Sequence, residues 1–271
     1  QIPRDEFLRR IEPQLTAGER LRLLGTAERE GVELEIDLGR APLTRVCLYL
    51  LSLPISERTA RKEELLAALT QSAQRARRKS ARRLGKVAAI LDRSYSTVGS
   101  SEKHQRPLAV ALGTSALLRE SAAEYRAFWT PSLSSSAPAD ELLVTSRGQT
   151  DLATPLLDAL DWDPELIVIV SDGYENDPAG AASEISRKSR RLSKRPLSII
   201  HMNPVFDSER YAPRSLGPSL PTIGLRDAED LVTLLGFARF ADGTAPLSEL
   251  EEYLSARVAR LRKLARGEGQ P

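Results

Sequence analysis

The sequence predicts an α/β fold: a doubly wound, mostly parallel, Rossmann-like sheet flanked by helices, with a helical N-terminal extension. Three observations lead there. Residues 87–91 and 166–170 are unbroken apolar runs of strand length, as expected of strands covered on both faces. Stretches with apolar residues at helical spacing separate such runs, and this alternation builds parallel sheets. Residues 1–83 carry helical spacing and little strand signal. The expected organisation is an extension over residues 1–83 and an α/β domain over residues 84–271, the last helix included.

Within the extension, Thr16 and Glu19 form a capping-box pattern ahead of Leu21, Leu23 and Leu24. Residues 43–53 are strongly apolar and fit a buried helix or a strand; periodicity alone leaves both open. Pro54 and Ser56 punctuate the chain before Leu65, Leu66, Leu69 and Ala73, which recur at helical spacing. The run at 87–91 ends in Asp92, and a helix bearing Leu108, Val110, Leu112, Leu117 and Leu118 follows. Residues 125–129 are a second strand, residues 131–140 a Ser/Ala/Pro-rich loop, and residues 142–145 a short edge strand. A helix over 151–160 leads into the central strand at 166–170. Next come a helix over 179–192, a strand over 197–202 and a last strand over 222–225, with Asp227 capping a short helix. Ser248 and Glu251 make a second capping box before a final helix through Leu264.

Composition narrows the function classes. Aromatics are only 5% of the residues, so the core must be mainly aliphatic. Charged residues, at 28%, cancel to a formal +2, so overall charge demands neither nucleic acid nor membrane as partner. Cys47 is the only cysteine, which excludes an intramolecular disulfide and a multi-thiolate zinc site and favours a reducing, cytoplasmic setting. No apolar run approaches the roughly 20 residues needed to cross a bilayer, and no secretory leader is expected. The chain opens at Gln1 and its one Met is Met202, so a fragment or a processed product is expected.

In an open parallel sheet, ligands bind at the carboxyl ends of the strands. Three such ends carry oxygen ligands: Asp92, Ser94 and Ser96 in the pattern Asp-x-Ser-x-Ser, Thr150 in a loop farther on, and Asp172 in Ser171-Asp172-Gly173. Hard divalent cations take about six oxygens. Alternate residues of an extended turn point the same way, so Asp92, Ser94 and Ser96 can face one ion, with Thr150 and Asp172 completing the set and Gly173 allowing a sharp turn beneath it.

This ordered set resembles the von Willebrand factor A domain and its metal-ion-dependent adhesion site. In that family an Asp-x-Ser-x-Ser follows the first strand, a Thr lies in a middle loop, and an Asp, often followed by Gly, comes after the fourth strand. The likeness covers about residues 85 to 245. Tyr95, where relatives often carry a small residue, and Arg93, a positive charge beside the first ligand, depart from the pattern. The resemblance implies Mg²⁺, with Mn²⁺ or Ca²⁺ as substitutes. It also implies an open coordination position filled by an Asp or Glu of a protein partner, AAA-type ATPases being a partner class of such relatives. In some relatives, ligand binding shifts the last helix; here the final helix holds that place, and static packing is the expected role.

Other features are weighed against plain structural roles. Arg75, Arg77, Arg78, Lys79, Arg82, Arg83 and Lys86 form one basic run, and Arg187, Lys188, Arg190, Arg191, Lys194 and Arg195 a second. Either fits a phosphate backbone or a solvated helix face. They support an alternative reading, an RNA-binding protein resembling the Ro ribonucleoprotein family, although the extension is short for that family's helical ring. His104 and His201 stand alone and are expected to be structural, as is Cys47. Glu175, Asn176 and Asp177 fit either partner selection or a polar surface turn. A metal-dependent hydrolase is the weaker alternative. No nucleophile elbow, phosphate-binding loop or dinucleotide fingerprint is present, and no general base is placed beside the metal residues, so a binding module rather than an enzyme is expected.

Overall fold

The computed structural model describes residues 2–32, 34, 36–78, 83–100, 104–133, 135, 137–193, 195–206, 213–241, 243, 246–248, 250, 251, 254, 255, 258, 259 and 262. Five helices come first: α1 (Arg4–Ile11), α2 (Ala17–Arg29), α3 (Leu43–Ser52), α4 (Ile55–Ala60) and α5 (Lys62–Arg77). The capping box before α2 is formed, with Thr16 N donating to Glu19 Oε2 at 2.8 Å and Glu19 N donating to Thr16 Oγ1 at 3.3 Å. The ambiguous run at 43–53 is the helix α3. Leu43, Val46, Cys47, Leu50 and Leu51 are buried in it at helical spacing, a set that a strand would split between two faces.

The sheet contains β1 (Leu84–Asp92), β2 (Ala122–Thr130), β3 (Leu166–Val170), β4 (Ser198–Asn203) and β5 (Thr222–Gly224). Their order is β2-β1-β3-β4-β5 and every pairing is parallel. Val87, Ala89 and Leu91 of β1 join one core with Val168 and Val170; Ala88 and Ile90 join a second with Ile167 and Ile169. This alternation requires helices on both faces. One face takes α6 (Arg106–Ser121) and α10 (Leu231–Ala241), the other α8 (Ala153–Asp161) and α9 (Ala181–Leu192). The helix α6 is buried along nearly its whole length, because α3 and α5 cover the side turned away from the sheet. Gly113 on α6 permits the close approach of the turn before α10: a Cβ there would stand 2.7 Å from the Cβ of Ala228.

Four local expectations are revised. Residues 142–145 form no edge strand. A short helix, α7 (Pro138–Glu141), precedes them, and the carbonyls of Leu142 and Val144 accept from the buried Arg58 guanidinium at 3.4 and 2.9 Å, in place of a ladder partner. The loop expected at 131–140 therefore includes α7. Asp227 makes no side-chain cap; its carboxylate accepts from Arg106 Nη2 at 2.8 Å, while Thr44 Oγ1 accepts from Ala228 N at 2.8 Å. Leu247, Ser248 and Glu251 are helical, so Ser248 lies inside the final helix rather than at its cap; the rest of that helix is described only in part. Among the described residues no helix is long and apolar enough to cross a membrane.

Arg58 also donates to Leu51 O at 2.7 Å and Leu53 O at 2.9 Å, so one side chain serves four carbonyls of α3, its end and the α7 loop. Burial pulls its pKa down. Substitution Arg58→Ala strands those acceptors and is expected to lower unfolding free energy by about 3 kcal/mol in urea titrations. A loss below about 1 kcal/mol would show that water replaces the guanidinium at no cost.

Candidate metal centre

The strands β1 and β3 are neighbours, with Leu91 opposite Val170, but their crossovers run opposite ways, to β2 and to β4. At such a reversal the loops diverge and leave a crevice beyond the carboxyl ends. Asp92 is the last residue of β1 and Asp172 lies two residues past β3. Because residues 142–145 form no strand, Asp172 follows the third strand of this chain rather than a fourth. Thr150 arrives from the long connection between β2 and α8.

The five residues of the oxygen set lie at this one edge. Asp92 is 1% exposed; its Oδ1 accepts from Ser94 N at 2.8 Å, and its Oδ2 is buried with no hydrogen-bond partner among the described residues. Ser94 Oγ and Ser96 Oγ are 3.0 Å apart. Thr150 is buried, and its carbonyl accepts from Asn176 N and Asp177 N, which ties the second loop to the third. Asp172 Oδ1 accepts from Tyr174 N at 3.0 Å, and Asp172 O accepts from Asn203 Nδ2 at 2.9 Å. Gly173 sits at φ +82°, where a Cβ would meet Arg214 O at 2.7 Å, so the turn beneath Asp172 requires glycine.

The first two loops are pinned together by backbone and hydroxyl contacts. Arg147 N donates to Arg93 O at 2.7 Å, Tyr95 N donates to Gly148 O at 3.1 Å, and Thr97 Oγ1 lies 2.7 Å from Ser146 Oγ. The Arg93 charge does not face the oxygen set as its position implied. Its buried guanidinium donates to Pro131 O and Ser132 O, both at 2.7 Å, and burial draws its pKa down to about 10. Tyr95, by contrast, is 68% exposed.

Burial pushes the Asp92 carboxyl up to about 7, with the Asp172 charge adding to the rise and the Ser94 hydrogen bonds opposing it. An orphaned carboxylate oxygen, a second acid and three hydroxyl side chains suit a hard cation. Among the described residues no group of three or more His, Cys, Asp or Glu stands together, so neutral hydroxyls would supply the rest of any such site.

The supporting residues Arg93, Thr97, Ser146, Ser171, His201 and Asn203 follow no motif. His201 is fully buried, with Nε2 3.2 Å from Ser171 Oγ and Nδ1 3.1 Å from Thr222 Oγ1; burial holds it neutral, with a pKa of about 4. Glu175 accepts from Ala182 N at 3.0 Å and so caps α9. The basic runs do not form one surface. Arg75 donates to Arg40 O and Ala41 O, and Arg190 to Ile199 O, while Arg187 pairs with Glu184 at 2.7 Å. Lys86 lies over the Trp162 ring at 4.5 Å. Arg78, Arg83, Lys188 and Arg191 are exposed and Arg77 is partly so; Lys79, Arg82 and Lys194 lie outside the described residues.

The folded chain holds the Asp92 proton up to about pH 7, whereas an unfolded carboxyl loses it near pH 4. Stability therefore falls as pH rises through that window and stays lower above it. In EDTA, Asp92→Asn is expected to be about 2–4 kcal/mol more stable than the parent at pH 8 and nearly equal to it at pH 4. Urea melts at both pH values check this; equal stability at pH 8 would refute the buried-charge account.

No protein-family model and no curated protein matches the chain. Solved structures do: one is the crystal structure of the Deinococcus radiodurans RO (RSR) protein, with 16% identity over 90% of this chain and a TM-score of 0.44. The chain spans 57% of that protein's length. Similarity at that level decides neither family nor function.

Proposed function

We propose that the chain binds a divalent cation, Mg²⁺ first, through Asp92, Ser94, Ser96, Thr150 and Asp172, and uses it to take up a carboxylate from a protein partner. This is the role of a metal-ion-dependent adhesion site in von Willebrand factor A domains. The observation that carries the reading is Asp92 Oδ2, a buried carboxylate oxygen without a hydrogen-bond partner among the described residues, gathered with a second acid and three hydroxyls. A bound cation would supply the missing partner and Lewis acidity toward an incoming anion. Asp92 and Thr150 lie deepest and Ser96 lies at the surface, the side from which a partner approaches. Neutral hydroxyls donate no charge to a cation, so a further carboxylate is favoured.

Recognition rather than turnover is the activity proposed. A hydrolase would need a general base free to act beside the ion. His201 is sealed, neutral and held between Ser171 and Thr222, and Glu175 is occupied by the α9 amides. A cytoplasmic setting and an AAA-type ATPase partner belong to the same proposal; the site chemistry itself calls only for a protein with an accessible acid.

RNA binding is the second reading, favoured by the exposed Arg187, Lys188, Arg191 and Arg195 in and just beyond α9. It requires affinity for single-stranded RNA that falls steeply with salt and drops when Lys188 and Arg191 are changed to Glu.

Calorimetric titration of Mg²⁺ and Mn²⁺ tests the leading reading. Saturable binding is expected for the parent and none for the Asp92→Ala/Ser94→Ala double variant, with its fold checked by circular dichroism. A hundredfold excess of cation over Kd should stabilise the parent by about 3 kcal/mol and leave the variant unchanged. Absence of both heat and stabilisation in the parent would sink the reading and leave the α9 cations as the next surface to test.

A further inference from the structure

The carboxyl edge of the sheet carries a cleft of about 660 Å³ beside the oxygen set, lined by Gly99, Ser100, Pro107, Pro204, Val205 and Phe206, with Arg106 and Arg226 at its walls. One wall continues the first loop, since Gly99 lies three residues past Ser96. The opposite wall begins at Pro204, next to Asn203, whose side chain holds Asp172 O at 2.9 Å. The cleft and the candidate metal centre thus share both of their supporting loops.

Several apolar side chains are exposed on these same loops. Tyr95 and Val98 belong to the first, Tyr174 to the third, and Val205 and Phe206 follow β4. The Phe206 ring lies against Gly224, where an added Cβ would stand 2.4 Å from it, so β5 backs the ring. Arg106 is committed to Asp227 and to Arg226 O, which sets the backbone at Arg226; the Arg226 side chain is exposed. A concave apolar floor with a cation at its rim selects for an apolar group accompanied by negative charge.

We infer that this cleft sets the specificity of the metal centre: the partner is a peptide segment in which an Asp or Glu is followed or preceded, within about three residues, by a bulky apolar side chain. The acid goes to the metal residues and the apolar side chain fills the cleft between Pro107 and Phe206. A further acid in the segment meets Arg226. The spacing follows from chain geometry, because three residues from Ser96 to Gly99 reach at most about 10 Å, a distance a partner strand covers in about three residues. The inference rests on the proposed metal-dependent recognition, and its test separates the two.

Random short peptides displayed on phage are panned on the full chain in Mg²⁺ and eluted with EDTA. The eluted pool should be enriched in Asp or Glu with Phe, Trp, Leu or Ile within three positions. A synthetic peptide from the pool should bind Phe206→Ala at least about tenfold more weakly than the parent, and Arg226→Glu should weaken peptides bearing a second acid. Replacing the peptide's apolar residue with Ala should cost about tenfold against the parent and little against Phe206→Ala. Both chain variants are checked for unchanged Mg²⁺ heats, which shows that the fold and the metal centre survive. Enrichment of acids without an apolar preference, or a preference untouched by Phe206→Ala, overturns the cleft and leaves the metal reading standing. A pool with no acid and no dependence on Mg²⁺ overturns both.

Discussion

The constraint on which the rest of this structure depends is the burial of α6 on all sides. A helix lying on a parallel sheet normally turns a polar face to water, but Leu108, Val110, Leu112, Leu117 and Leu118, with the small residues between them, leave α6 no such face. The sheet covers one side, and α3 and α5 must cover the other. The helical segment before β1 is therefore part of the core that organises the sheet: Leu43, Leu50, Leu65 and Leu69 share one hydrophobic cluster with Val87, Leu91 and Val168. Polar contacts fix the same junction. Thr44 Oγ1 donates to Glu229 at 2.6 Å and accepts from Ala228 N, so a residue early in the chain shapes the turn that leads into α10. Gly113 lets that turn approach α6 closely.

A rigid junction on one face of the sheet leaves the loops at its carboxyl edge to be held by other means. None of the three loops is regular structure throughout, so their backbone groups must find partners in one another. They do so through Arg147 N to Arg93 O, Tyr95 N to Gly148 O, and Asn176 N to Thr150 O. Arg93 anchors the β2 end of the assembly through Pro131 and Ser132, and Asn203 anchors the β3 end through Asp172 O and Arg214 O. The oxygen set is thus placed by a cross-linked shell, as precise ligand placement requires.

Much of this was legible in the sequence where a single physical cause acts alone. The runs 87–91 and 166–170 announced buried strands because burial on both faces leaves no room for polar residues. The Thr16–Glu19 box formed as its spacing implied, since that interaction is local. What failed was decided by distant partners. Residues 142–145 have strand-like composition, yet Arg58, more than eighty positions away, takes the carbonyls a neighbouring strand would need. Asp227 has the composition of a cap, but Arg106 claims it and Thr44 caps in its stead. The oxygen set was readable as a pattern of ligand types. The turning away of Arg93 was not, because its acceptors are backbone carbonyls that carry no sequence signature.

The energetics of Asp92 connect the fold to the proposed activity. A native structure rarely leaves a buried carboxylate oxygen without a partner, because desolvation is costly and stability margins are small. An apolar substitute at this position would relieve that cost. The surroundings instead sustain it: Ser94 N holds Oδ1 and Asp172 raises the local negative charge, while the Arg93 guanidinium is directed to Pro131 and Ser132. A purely structural role for Asp92 would be better served by turning that guanidinium inward, where it would neutralise both acids. With that guanidinium directed elsewhere, two acids meet at the point where the strand order reverses, and that arrangement has a physical rationale when a cation is to be received there.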